Sequence, residues 1–239
     1  WALLVSSASP PSAAEASSHV RLVEREILTR RNDGRPITAA WIGDRLRRDF
    51  DPLQRRIAAF ELVRNVPYKL TGWKGDPDSL FQLGRGDCRH KSAALIGVLR
   101  VLEAKARHVQ VPFDWADLPI PPPVLSPLSE TRGIHDSVEV EIGGQWVLVD
   151  PTWDLPLRAA RFPVMSYWDG NGPTLPITEK ATTVVLPSEL KAGTNIYAQF
   201  GIRWPVGSEV LAFNRVFNAW SDEIRSLVRT MGLAGGSAL

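Results

Sequence analysis

"GRGDCRHKSAALIGVLRVLEA", residues 84–104, holds the one cysteine of the chain, Cys88. Its reading decides the fold. Asp87 is a good helix N-cap, because its carboxylate accepts from the unpaired N–H groups of a first turn. Gly84 and Gly86 suit the loop before it. Cys88 is therefore expected to open a helix. Its stripe runs Cys88, Ser92, Leu95, Leu99 and Leu102, so the thiol points to the side where a sheet would pack. The free N–H groups at a helix start favour an anion, and so favour thiolate over thiol. A lone cysteine is more often a small, inert core residue. The stripe fits that reading equally well, but the glycine approach and the helix start do not.

Composition narrows the field. The chain has 239 residues, 44% of them hydrophobic and 23% charged, as in an ordinary globular protein. That length buries a real core without staples. One cysteine leaves no internal disulfide framework. The net charge of +2 is too small to point to a nucleic-acid or membrane surface, so neither is expected as a partner. The densest basic cluster, Arg45, Arg47, Arg48, Arg55 and Arg56, falls in helical text and reads as a solvated face. No run of 18 apolar residues is present. The expected compartment is the cytoplasm, with a secreted or periplasmic location as the alternative. Residues 1–18 are faintly similar to the end of a secretory signal. They lack a basic beginning, and a flexible leader accounts for them better. Residues 232–239, rich in glycine, read as a flexible tail. The span between, 19–231, is expected to form one domain.

Pattern supplies a coarse map. Residues 19–31 carry Val20, Val23 and Ile27 on one helical stripe. Asp51 followed by Pro52 marks another helix start, and that helix ends near Pro67. Residues 69–87 read as a loop and 106–113 as a strand. Residues 116–134 hold a proline-rich surface loop, "LPIPPPVLSP". "HDSVEVEIGGQWVLVD", 135–150, is a hairpin about Gly143-Gly144. Residues 155–205 are irregular, with short strands at best. A final helix spans 208–230, with Phe213, Phe217, Trp220, Ile224 and Leu227 as its core stripe.

A nucleophilic cysteine needs a base, and there are four histidines. His19 sits in the leader or first helix. His90 is two residues from Cys88, where side chains on a helix diverge. His108 lies early in a strand. His135 opens the hairpin, and there the register is informative. With the turn at Gly143-Gly144, Ser137 faces Asp150 and His135 faces Thr152. All four share one face of the sheet. His135 and Asp150 then form a diagonal pair, about 7–8 Å apart at the backbone. Val138, Val140, Ile142, Val147 and Val149 take the other face as core. A one-residue slip would destroy the arrangement. Asp136 alternates to the apolar face and Asp154 lies beyond the paired strand, so both are weaker partners. Taken singly, His135 reads as structural and Asp150 as the cap of a strand-end turn. A carboxylate beside an imidazole beside a thiol is the nucleophile–base–orienter set of acyl-transfer chemistry.

The order Cys, His, Asp, with these flanks, resembles the transglutaminase-like superfamily. "GRGDCRHKSAALIGVLRVLEAKARHVQV" is similar to its cysteine helix and following strand. "HDSVEVEIGGQWVLVDPTWD" is similar to its histidine strand, turn and aspartate strand. The resemblance covers about residues 57–154. It implies an α+β fold, with a cysteine-bearing helix packed on an antiparallel sheet in the papain-like manner and extra helices at both ends. It implies Cys88 as nucleophile, His135 as base and Asp150 as orienter, with no cofactor. One departure is Ser137, where many members carry an aromatic two residues after the histidine. That puts the acceptor side of the pocket in question. The segment after Asp154 is similar to a prokaryotic branch of the family.

The function so implied is a cysteine peptidase, amidase or amide-forming transferase working through a thioester. Its partners would be a peptide or protein amide and, for transfer, an amine. The alternative is a catalytically silent peptide-binding domain on the same fold. The oxyanion would be held by the Cys88 N–H and a second donor, for which Gln82 and Trp73 are candidates. Asp114, Trp115 and Trp153 are expected to line the substrate cleft, with ordinary packing the competing account of Trp115. The proline-rich loop at 119–127 is either a cover for that cleft or a surface excursion. No metal is expected, since Cys88-x-His90 is too sparse for a zinc site.

Overall fold

Local capping chemistry sets the helix starts. The computed structural model describes residues 13–72 and 76–235. The expected leader lies outside these residues up to position 12. Helix α1 spans Ala13–Asn32 and buries Val20, Val23 and Ile27. Helix α2, Ala39–Asp49, is capped by Thr38. Helix α3, Pro52–Asn65, begins as the Asp51-Pro52 pair predicts: Asp51 and Gln54 close a reciprocal capping box. Inside the expected loop at 69–87 sits a single-turn α4, Ser79–Leu83, ended by Gly84 in the left-handed conformation, φ 65°. Helix α5 runs Cys88–Val101 behind its Asp87 cap. Strands β1 (Ala106–Asp114), β2 (Arg132–Ile142) and β3 (Gln145–Leu148) form an antiparallel sheet in the order β1-β2-β3. The fold is α+β.

The hairpin register is the expected one. Ile142 pairs with Gln145 and Glu139 with Leu148 about Gly143 and Gly144, both at positive φ. Such a two-residue turn matches the strand twist and needs glycine-like backbone freedom. The ladder is shorter than expected. Its last bond runs from Val149 N–H to the Val138 carbonyl, 2.8 Å. Two residues later Pro151 has no N–H to continue it. The backbone of β2 before Val138 is thereby left open on the β3 side. Helix α5 takes that place, with Ser92 Oγ donating to the Asp136 carbonyl, 2.8 Å. This departure of β3 lets the start of α5 reach the histidine strand.

Two apolar clusters flank the sheet. One joins α1, α2, α3 and α5 to Val138, Val140 and Val149, none of which is exposed. Each buried aliphatic side chain of this kind is worth about 1.5–3 kcal/mol. The other joins Val111 and Phe113 of β1 to Tyr68, Trp153, Phe162 and the final helix, α8, Gly207–Gly235.

Several expectations are corrected here. Arg45 is not part of a solvated face: Glu26 holds its guanidinium with two bonds of 2.8 Å, and Asp49 adds a third. The proline-rich loop is not a surface excursion. It contains a short helix α6, Pro122–Leu125, and sinks Leu118, Ile120 and Val124 into the second cluster. Residues 155–205 hold 3-10 turns and the one-turn helix α7, Ile196–Gln199, and their contacts with the sheet include a bridge from Val185 to Gln110 and a bond from Thr174 N–H to the Leu148 carbonyl, 2.9 Å. Helix α8 runs past position 231, where the tail was expected to follow, and residues 236–239 lie outside the described ones. Leu227 leaves the core stripe and is 60% exposed.

Candidate active site

Cys88 sits at the first position of α5, positioned by a tight approach. A side chain on Gly86 would meet His90 Cβ at 2.5 Å, so only glycine lets the chain turn into the helix there. Asp87 accepts from Arg89 N–H at 3.1 Å, and its Oδ1 also takes His90 Nδ1 at 2.8 Å. His90 is thus committed to the cap and turned away from the thiol.

His135 and Asp150 meet as the shared sheet face implies. His135 Nε2 donates to Asp150 Oδ2 at 2.7 Å, and both side chains are buried. Nε2 being taken, Nδ1 is left for the Cys88 thiol, and thiol and imidazole shift each other's pKa. Asp150 is fixed twice more: Thr152 N–H donates to its Oδ1 at 3.0 Å, and its own N–H donates to Thr174 Oγ1 at 2.7 Å. It therefore caps the strand-end turn and orients the imidazole at once. Phe113 meets the His135 ring edge to face, centroids 6.0 Å apart.

Two supports escape any local reading of the sequence. Lys91 is fully buried, and its Nζ donates to the carbonyls of Arg64 and Pro151 at 2.9 and 3.3 Å. It thereby ties down the residue next to Asp150. Burial pushes its pKa down to about 7. Asp154, the weaker carboxylate on sequence grounds, is held away from His135. It binds Arg225 through both oxygens, at 2.8 and 2.9 Å, and accepts from Tyr68 N–H at 2.9 Å. Asp136 likewise turns to His108, 2.7 Å away.

The electrostatics differ from expectation at one point. Burial disfavours a charged His135, but the Asp150 carboxylate and Cys88 outweigh it and push the imidazole up to about 10. Burial is also the largest influence on Cys88. It raises the thiol above its ordinary value of 9.0, against the pull of His135. The expected thiol of low pKa is not what this environment makes. The reason is desolvation of the charged form, to which the negative charges of Asp136 and Asp87 add. The resting pair is thiol and imidazolium, and one proton must leave to give the thiolate. Alkylation of folded protein by iodoacetamide is accordingly expected to keep accelerating above pH 9, with no plateau at acidic pH; rate against pH checks it.

The thiol opens onto a cavity of about 380 Å³. Trp115 lines it as expected, together with Tyr68, Phe113, Tyr197, Trp204 and Phe213. The other two expected pocket residues stand elsewhere. Asp114 turns back to cap Ala116 N–H at 2.8 Å, and Trp153 is packed behind Tyr68 with its indole N–H on the Ile177 carbonyl, 3.0 Å. Gln82 is exposed, accepts from Ile37 N–H and does not reach the cavity. Trp73 lies outside the described residues. Ser137, paired with Val109 in the sheet, is buried and does not line the cavity. Among the described residues, no helix is long and apolar enough to cross a membrane.

Residues 43–151 match the model of the transglutaminase-like superfamily core. No curated protein matches the chain. Among solved structures it is similar to a candidate cysteine protease from Cytophaga hutchinsonii, at 20% identity and a TM-score of 0.33. That alignment covers 48% of this chain and 39% of the other. Cys88 and His135 fall inside the family match and Asp150 at its end, whereas Tyr197, Trp204 and Phe213 on the cavity wall come from beyond it. The segment 43–151 is thus similar to a transglutaminase-like core.

Proposed function

We propose that this chain is a thiol-dependent acyl-transfer enzyme acting on an amide bond of a peptide or protein. The observation that supports this most is the buried His135–Asp150 pair beside the Cys88 thiol, which opens into an aromatic-walled cavity.

In this reading the Cys88 thiolate adds to the amide carbonyl carbon, and the carbonyl π pair moves onto oxygen. Collapse of the intermediate breaks the C–N bond, and His135 gives its proton to the departing nitrogen. That leaves an acyl thioester and a neutral imidazole. The imidazole then takes a proton from water or an amine as that acceptor attacks the thioester, and thiolate and imidazolium return. Asp150 keeps Nε2–H in place and stabilises the imidazolium throughout.

A product screen tests the proposal. Folded protein is incubated with a peptide pool in ¹⁸O-water, with and without an added primary amine. The expected result is ¹⁸O-labelled acids for hydrolysis, or amine-capped peptides for transfer, absent in Cys88→Ser. Peptides retained by wild type and by Cys88→Ser alike, with no product from either, would favour a silent binding domain.

A further inference from the structure

An oxyanion in a buried site needs two donors, because one hydrogen bond leaves most of its new charge unmatched. The first is at hand: among the described residues, the Cys88 N–H at the start of α5 has no hydrogen-bond partner. The second has to come from a group that faces the cavity, stays protonated and is held still. Resting on the acyl-transfer reading above, we propose that the Tyr68 hydroxyl is this second donor, and hence a catalytic residue.

Four observations converge on it. The Tyr68 backbone bridges to Gly86, two residues before Cys88, and Lys69 N–H donates to the Gly86 carbonyl at 2.9 Å. The tyrosine is thus tied to the turn that delivers the nucleophile. Its side chain is 2% exposed and lines the cavity beside Cys88. Its hydrogen bonds among the described residues run through its backbone, to Asp154 and from Arg225, and none is made by the hydroxyl, so a donor is available there. Finally, its position is over-determined. The ring lies between Trp153 and Phe217, at centroid distances of 4.7 and 6.0 Å. Its N–H goes to Asp154, and its carbonyl accepts from Arg225 at 2.8 Å. A buried bidentate ion pair from the last helix clamps both backbone groups of one residue in the cavity wall.

The environment also keeps the phenol neutral. Burial raises its pKa well above the ordinary value, and negative charge on Cys88 adds to this. Tyr68 therefore donates a hydrogen bond without giving up its proton. When the thiolate adds to the carbonyl, the oxygen that receives the π pair accepts from Tyr68 O–H and from Cys88 N–H. Both bonds relax when the C=O double bond reforms, so Tyr68 ends the step as it began.

Two probes of one thiol test this. Acylation of Cys88 by p-nitrophenyl acetate passes through an oxyanion: a C–S bond forms, the ester C–O bond breaks and p-nitrophenolate leaves. Alkylation by iodoacetamide is displacement at a saturated carbon and forms no oxyanion. For Tyr68→Phe, acylation is expected to fall about 10²–10³-fold, as for loss of one oxyanion donor. Alkylation should stay within about twofold, since the thiol's ionisation is untouched. Both rates falling together, or neither falling, would overturn the assignment. So would the same split in Trp115→Phe with none in Tyr68→Phe. A wild-type Cys88 that alkylates but never acylates would contradict the acyl-transfer reading itself, and the assignment with it.

Discussion

His135→Gln is expected to lower turnover of an amide substrate about 10²–10⁴-fold, the usual worth of a positioned general acid. The substitution keeps a side-chain N–H for Asp150, which accepts from Nε2 at 2.7 Å in the wild type, so the buried carboxylate is not orphaned. What is lost is the proton that the departing amine needs. The loss should therefore depend on the leaving group. An amide cannot leave without that proton, whereas p-nitrophenolate leaves unaided, so the ester should suffer much less. Asp150→Asn should fall between wild type and His135→Gln. An amide oxygen still accepts from Nε2, but the negative charge that keeps the imidazole protonated up to about 10 is gone. Steady-state rates on one amide and one p-nitrophenyl ester, with a melting curve for each variant, check all three statements. Equal losses on amide and ester would mean that His135 does not act on the leaving group.

Arg225→Met is expected to cost about 3–5 kcal/mol of stability, because it strands the Asp154 carboxylate in a dry site. In the wild type the pair is bidentate and both side chains are buried, 5% and 1% exposed. For a chain of this size the cost corresponds to a drop in melting temperature of about 6–20 °C. A second change, Asp154→Leu, removes the stranded charge, so the double variant should recover much of the loss. A double variant no more stable than Arg225→Met alone would argue that the pair matters through Tyr68 N–H and not through charge. The comparison separates Asp154 from Asp150: the first is expected to act on the fold, the second on the chemistry.

The parts legible in the sequence are those written in neighbouring residues. Asp87 before Cys88, and Asp51 before Pro52, mark helix starts through capping, a rule of one turn. Gly143-Gly144 fixes the hairpin register, and with it the side of the sheet on which His135 and Asp150 lie. The parts that escaped depend on contacts across long stretches of chain. Arg225 and Asp154 are 71 positions apart, and Lys91 reaches Pro151 across 60. A lysine or arginine in such a place looks like any solvated charge until its partners are known. The cavity wall beyond residue 151 escaped for another reason. Residues 155–205 have no helical or strand period, so nothing in them announces that Tyr197 and Trp204 face Cys88. The expectation of a low thiol pKa rests on the helix start and on the imidazole beside the thiol; burial, the largest influence on Cys88, is written in neither. Trp153 shows the reverse error, an aromatic next to the site in sequence whose indole is spent on packing and on the Ile177 carbonyl.

The most direct test of the central claim is to trap the thioester. Folded protein is mixed with the peptide pool, quenched in acid after short times and mapped by mass spectrometry. The account predicts an acyl group from an unactivated amide on Cys88, sensitive to hydroxylamine, and absent in His135→Gln over the same interval. An acyl group found on another residue, or product formed at the wild-type rate by Cys88→Ser, would contradict it.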